Sequence, residues 1–346
     1  MIYLDNAATT VCKFSASAYD DIWGNANTPY KFGLNARQAA DECRERVKKC
    51  LGVKGGKVIF CSNASEAAKI LLDRFYTHSP NNCMTVCGPY EHDSVYNFVD
   101  LHRYQFIHYS NRTTIFQQWV NPVTGTIFDI PSIRQVLGND CFLCMDATAG
   151  IGKRFLSQSI VNSVDAIWFS GHKFNGPKTG GILWVSDRLG KALDLSDDSR
   201  NEYGLKHGTL DVPSFIATTC ALEYTISNSI ENAWHYAGLN AYLSNRAGDR
   251  VVGSKQYTND QLNATVLIDT GCNADALVQY LSSKGIYVGL AHSACSADAD
   301  YRVTQAFGIS KETAERCIRV SFSEDSTFND IDALVNGIKE FKEKFV

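Results

Sequence analysis

Between residues 36 and 185 short apolar runs with β character alternate with stretches of helical spacing, and this alternation restricts the fold more than any other feature. Ala36 to Cys50 reads as a helix, Lys57 to Cys61 as a strand and Ser65 to Tyr76 as a helix again. Strands are expected at Met84 to Cys87, Phe106 to Tyr109, Thr114 to Val120, Cys141 to Met145, Ala166 to Phe169 and Gly181 to Val185. Such a series predicts an α/β domain, a mainly parallel sheet covered by helices, with ligands bound at the carboxyl ends of the strands. The last third differs. Strands at Ala264 to Asp269, Ile286 to Gly289 and Cys317 to Phe322, with helices at Asp275 to Lys284 and Asn329 to Phe345, predict a smaller α+β domain. The division expected is a large domain over residues 12–230 and a small one made of 1–11 and 231–346.

At 346 residues, with 45% hydrophobic side chains, the chain can bury a substantial core. A net charge of −4, with both signs scattered, gives no basic footprint for nucleic acid and no basic amphipathic stretch for a membrane surface. The N-terminus has no basic segment followed by a long apolar run, so a cytoplasmic protein is expected. That compartment keeps the 12 cysteines reduced. Cys141 and Cys144 form a CxxC, but inside an apolar run they read as small buried hydrophobes rather than metal ligands; no metal site is expected.

The run from Asp165 to Gly181 carries the most chemistry. An apolar strand delivers Ser170, His172 and Lys173 into a glycine-rich turn, where a lysine can be open to a ligand yet sheltered from bulk water. Partial desolvation lowers an amine's pKa enough for it to add to an aldehyde. Read alone, the same turn is an ordinary strand end. Cys61-Ser62-Asn63-Ala64-Ser65-Glu66 passes from strand to helix, so Ala64 and Ser65 offer free N–H groups to a phosphate, although a plain serine N-cap explains the run as well. His92, after the strand at Met84, can stack on a flat ring or relay a proton. Asp146 closes a buried strand; it either caps a helix or pairs with a cation such as a protonated pyridine nitrogen.

In their order along the chain, these motifs resemble the aspartate aminotransferase-type fold of pyridoxal phosphate enzymes, and within its class V branch the cysteine desulfurases. The resemblance is carried by Tyr3 to Thr10, Ser62 to Glu66, Glu91-His92, Asp146-Ala147-Thr148, Ser170-Gly171-His172-Lys173, Gly208-Thr209, Ser293-Ala294-Cys295-Ser296 and Ile318 to Phe322. It implies a pyridoxal 5'-phosphate cofactor bound to Lys173 as a Schiff base, His92 over the ring and Asp146 at the ring nitrogen. Ala64, Ser65, Ser170 and His172 would hold the phosphate, joined by Thr209 from the neighbouring subunit of a homodimer. Arg319 would grip the carboxylate of L-cysteine. Cys295, on a run of small residues that reads as an exposed loop, would take the substrate sulfur as a persulfide and pass it to a protein acceptor, leaving L-alanine.

The chain departs from the family pattern at several of these places. Ala149 replaces a glutamine at the ring oxygen, Pro122 falls on an asparagine that Asn121 is expected to replace, and His292 stands where glycine is usual. The loop from Cys295 to Phe307 is shorter than in the iron–sulfur-assembly type. A class V aminotransferase or selenocysteine lyase with an incidental Cys295, and a degenerate homologue that binds a partner, are the competing readings.

Overall fold

The computed structural model describes residues 1–14, 22–78, 83–102, 112–247, 251–252, 260–292 and 300–346. Strand β1 (Ile2–Leu4) is set apart from the next six in space as well as in sequence. Strands β2 (Lys57–Cys61), β3 (Cys83–Cys87), β4 (Arg112–Gln118), β5 (Phe142–Asp146), β6 (Ala166–Ser170) and β7 (Gly181–Val185) form one sheet in the order β2-β7-β6-β5-β4-β3. The ladders from β3 to β6 are parallel, and β7 runs antiparallel to both of its neighbours. Every residue of β5, β6 and β7 is buried, as their unbroken apolar runs require of strands covered on both faces. Strands β8 (Val251–Val252), β9 (Thr265–Asp269), β10 (Ile286–Leu290) and β11 (Cys317–Ser321) form a second sheet, ordered β1-β10-β11-β9-β8.

The α/β layering expected from the sequence is therefore present, with β2 and β7 at their expected bounds. Helix α1 (Lys31–Leu51) begins earlier than the apolar spacing indicates, because Tyr30 makes no side-chain cap and nothing in the sequence marks the start. Its apolar face of Ala36, Ala40, Cys43, Val47 and Leu51 is buried and packs against the helix Val212–Ser227. Strand β4 stops at Gln118, short of the expected Val120, because the Trp119 N–H turns to the Asp146 carbonyl at 2.8 Å. The strand expected at Phe106 to Tyr109 lies outside the described residues. No helix among the described residues is long and apolar enough to cross a membrane.

The N-terminal segment connects the two sheets. Its strand β1 pairs in parallel with β10, and beyond it the Ala7 N–H donates to Ser321 Oγ at 2.8 Å, at the end of β11. Three residues later the Thr10 N–H donates to the His172 carbonyl at 2.8 Å, just after β6. The chain thus carries Ala7 and Ala8 across the carboxyl end of the first sheet.

A buried ion pair fixes the approach to the Gly208-Thr209 loop. Arg44 Nη2 meets Glu202 Oε1 at 2.6 Å with both side chains almost fully buried, and Glu202 Oε2 accepts the Phe60 N–H at 3.0 Å. Glu202 and Tyr203 hold left-handed backbone, φ 51° and 61°, an arrangement that needs such anchoring. Arg44→Met leaves a buried carboxylate unpaired and is expected to cost about 3 to 5 kcal/mol. Urea unfolding of this variant and of Arg44→Met/Glu202→Met checks it: the double variant should regain most of the loss.

Candidate active site

A cavity of about 540 Å³ opens at the carboxyl ends of β4, β5 and β6, lined in part by Ala7, Ala8, Ala64, Ser65, His92, Asp146, His172 and Lys173. A site of that size suits a cofactor with a small substrate. Among the described residues three lysines line it, Lys153, Lys173 and Lys178, against one carboxylate, Asp146. The cavity is therefore built for anions.

Lys173 is buried at the end of the short turn Gly171–Lys173 that follows β6. Its Nζ donates to the carbonyls of Ala7 at 2.5 Å and Ala8 at 2.8 Å, so the N-terminal segment aims the amine. Beside it His172 faces Thr9 Oγ1 through Nδ1 at 3.2 Å. Burial draws the His172 pKa down to about 4, and the cations Lys173, Lys153 and Lys178, with His92 when protonated, push it the same way. It is a neutral imidazole.

Helix α2 (Ala64–His78) starts at the cavity wall. Asn63 caps it, its Oδ1 accepting the Glu66 N–H at 2.9 Å, and Glu66 reaches back to Ser62. Ala64 and Ser65 thus sit at the positive end of a helix that opens on the cavity. Gly181 opposite must be glycine: a Cβ there would lie 2.7 Å from the Asn63 backbone. Ser170 is fully buried, and its Oγ has no hydrogen-bond partner among the described residues.

Asp146 ends β5, its Oδ1 accepting the Thr148 N–H at 2.8 Å. Burial raises its pKa, opposed by the bonds from Thr148 and by the charges of His92 and Lys173. A carboxylate so placed calls for a cationic partner. His92 precedes helix α3 (Asp93–His102), and its Nδ1 lies 3.2 Å from the donating Ser94 N–H and 2.9 Å from Ser94 Oγ. With an acceptor at Nδ1, the neutral ring carries its proton on Nε2. Arg302 clamps this turn, bonding the carbonyls of Pro89 and Glu91 and the carboxylate of Asp93.

Of the residues picked out from the sequence, Ala64, Ser65, His92, Asp146, His172 and Lys173 meet in this cavity. Asn121 does not. Its Oδ1 accepts from Val123 N and Thr124 N, both at 2.9 Å, and its Nδ2 donates to the Tyr90 carbonyl, so its amide holds the turn while Pro122 and Gln118 form the wall. Arg319 is buried in β11, where Nη2 donates to Asp5 Oδ1 at 2.8 Å and Nη1 to the Pro122 carbonyl at 3.4 Å. Gly289 admits that pair, since a Cβ there would stand 2.6 Å from Asp5 Oδ1. Thr209 is exposed and outside the cavity wall. Cys295 lies outside the described residues; His292, before it, is buried, with Nε2 3.2 Å from Asp275 Oδ2. Sequence reading missed Lys153, whose only signal is its place in the turn after β5.

The family description "Aminotransferase class-V" matches residues 2–105 and 98–334. The chain is 27% identical to "Cysteine desulfurase IscS" of Buchnera aphidicola subsp. Schizaphis graminum, over 97% of this chain and 91% of that protein. It is 25% identical to a "NifS/IcsS protein homolog" of Lactobacillus delbrueckii subsp. bulgaricus, over 100% of this chain and 98% of the relative. Among solved structures, a "NIFS-LIKE PROTEIN" superposes with a TM-score of 0.81 at 22% identity, covering 99% of this chain and 100% of that one.

The depressed pKa of His172 makes stability depend on pH. Between about 4 and the ordinary 6.5 the unfolded chain binds a proton that the folded chain refuses, so stability rises with pH across this window. In ligand-free protein the His172 share is expected to reach up to about 3 kcal/mol. Urea midpoints from pH 4 to 7 check it: His172→Asn should flatten the rise, and an unchanged slope would remove His172 as its source.

Proposed function

The chain belongs to the aminotransferase class-V family, and on that premise we propose that it is a pyridoxal phosphate-dependent cysteine desulfurase, converting L-cysteine to L-alanine and leaving the sulfur as a persulfide on Cys295. The observation that carries the cofactor is the meeting of Lys173, His92, Asp146 and the α2 N-terminus around one cavity. The residues fit the group. The free N–H groups at Ala64 and Ser65, the unpartnered Ser170 hydroxyl and neutral His172 suit a phosphate; buried Asp146 suits a protonated ring nitrogen. The sulfur chemistry is supported by the Ser293-Ala294-Cys295-Ser296 run and by the relative named cysteine desulfurase, which matches over nearly the whole chain.

Bound at Lys173, the cofactor supplies an electron sink for the substrate's Cα. The protein's residues do the rest. Lys173, which would hold the cofactor, has its amine aimed into the cavity by the carbonyls of Ala7 and Ala8 and would move protons at Cα. His92, its proton on Nε2 and Nδ1 held at Ser94, would stack on the ring and relay a proton. Asp146, its carboxyl pushed up by burial and drawn back by Thr148 and by the charges of His92 and Lys173, would pair with a protonated ring nitrogen. The thiolate of Cys295 attacks the substrate sulfur, the Cβ–S bond breaks, and the carbon product takes up protons to leave as alanine; one thiol sulfur is oxidised to the persulfide level while carbon is reduced. For Arg319 to grip the substrate carboxylate it must exchange Asp5 for it, one ion pair for another. We further propose a homodimer in which exposed Thr209 reaches the partner's phosphate, and a protein that receives the sulfur.

Incubating the protein with L-cysteine is expected to add about 32 mass units to the peptide containing Cys295 and to release alanine. Cys295→Ser should lose both while keeping the cofactor's visible absorbance, and Lys173→Ala should lose that absorbance. Alanine at the normal rate from Cys295→Ser would instead favour a lyase or aminotransferase with chemistry confined to the cofactor.

A further inference from the structure

Successive carbonyls in the turn before His92 are taken by opposite parts of the molecule. That of Tyr90 accepts from Gln118 Nε2 at 2.9 Å and from Asn121 Nδ2 at 3.3 Å, at the end of β4 and in the turn that follows it. Those of Pro89 and Glu91, on either side, both accept from Arg302 Nη1, at 2.9 Å for Glu91. The Glu91 carboxyl adds a tie of its own, Oε1 accepting the Gln118 N–H at 2.7 Å. His92 comes next, and its carbonyl starts α3 by accepting from Val95 N at 2.8 Å and Tyr96 N at 2.9 Å. Its imidazole therefore stands at a junction that Arg302 closes.

Arg302 reaches this junction from the far end of the chain. It opens the short helix Arg302–Ala306, and only 17% of its side chain is exposed. While Nη1 holds the two carbonyls, Nη2 pairs with the Asp93 carboxylate in the first turn of α3. The guanidinium lies over the Tyr96 ring, 4.1 Å from its centre. The arginine's own backbone is fixed as well. Its N–H donates to Asp300 Oδ1 at 2.8 Å, and the Asp300 N–H donates at 2.6 Å to the carbonyl of His292, just after β10. From the same helix end, Phe307 packs on Tyr90 with ring centres 5.8 Å apart. The second sheet thus holds the His92 turn through one side chain that meets two carbonyls, a carboxylate and a ring, a set that suits a planar fork and not a point charge.

We propose that Arg302 is a positioning residue for His92: by bonding the chain before and after it, Arg302 holds the imidazole in one orientation and one tautomer at the cavity. The orientation depends on Nδ1 accepting the Ser94 N–H at 3.2 Å, a contact made only when the turn and the start of α3 keep their relative places. Without Arg302 the turn would keep the bonds to Tyr90 but lose those to the carbonyls on either side, and the ring would gain freedom about the angles that aim it. The catalytic consequence rests on the reading that His92 relays a proton in cysteine desulfuration.

The test uses cofactor-loaded protein whose histidines carry the heavy nitrogen isotope, the His92 resonances being those absent from His92→Ala. In the wild type the ring nitrogens are expected to show one tautomer, with the proton on Nε2. Arg302→Met should give a mixture of tautomers while keeping the cofactor's absorbance. It should also lower the turnover of L-cysteine to alanine about tenfold or more, with KM changed less than about twofold. In a His92→Ala background the same substitution should slow turnover no further, because a residue that acts through His92 then has nothing to act on. Arg302→Lys keeps a charge beside Asp93 but not the fork, and it too should mix the tautomers and lower turnover. A single Nε2 tautomer in Arg302→Met, a mixture in the wild type, loss of cofactor, undiminished turnover, or equal slowing in the His92→Ala background would each overturn the proposal. A single Nε2 tautomer in Arg302→Lys would do so even if Arg302→Met does not fold. Wild-type protein that makes no alanine would count against the desulfurase reading alone and leave the tautomers to decide the role of Arg302.

Discussion

Two hydrogen bonds from the Lys173 amine to the carbonyls of Ala7 and Ala8 hold together more of this molecule than their size suggests. The segment that supplies those carbonyls is tied to the second sheet by the β1–β10 ladder and by Ser321, and to the first by Thr10 and His172. Without that crossing the amine would face the cavity with no fixed direction. A lysine side chain has four rotatable bonds, and each must be restrained for its nitrogen to meet a reacting atom. Two backbone acceptors on a segment fixed at both ends provide the restraint. The same segment contributes Asp5, which engages Arg319.

Charge is arranged around this crossing with few compensating anions. Among the described residues Asp146 is the one carboxylate in the cavity wall; burial and the clustered cations keep His172 neutral, and the charges of His92 and Lys173 offset part of the burial that raises the Asp146 pKa. Glu91, at the base of the turn carrying His92, is fully buried, and desolvation pushes its pKa well above the usual carboxylate range, which disfavours a negative charge there. Such a field costs stability in the empty protein and lowers the energy of any anion that enters. Anionic ligands are thus favoured before any specific contact is counted.

The departures at Ala149 and Pro122 also take physical form. Both side chains line the cavity, where each presents apolar surface in place of an amide. Asn121 cannot make up the loss, because its amide closes the turn that Gly125 completes with φ 74°. That part of the wall is thereby apolar, and the polar groups of the lining gather at Asp146, His92 and the start of α2.

The alternation of apolar runs and helical stretches was enough to determine the layered sheet, because a strand covered on both faces must be apolar throughout and its sequence shows this directly. Lys173, Asp146 and Ala64 were legible for a related reason: each lies at the end of a recognisable strand or the start of a helix, where local geometry alone dictates what it presents. Lys153 and the neutrality of His172 were not legible. Both depend on burial and on which charges the fold gathers: Arg319, more than a hundred residues on, reaches Lys153 only when the second sheet is folded against the first, and His172 meets Lys153, Lys178 and His92 only where separate turns converge. The same holds for Arg319, for which the family resemblance implies a substrate ligand but whose partner, Asp5, is brought to it from the other end of the chain by the β1–β10 pairing.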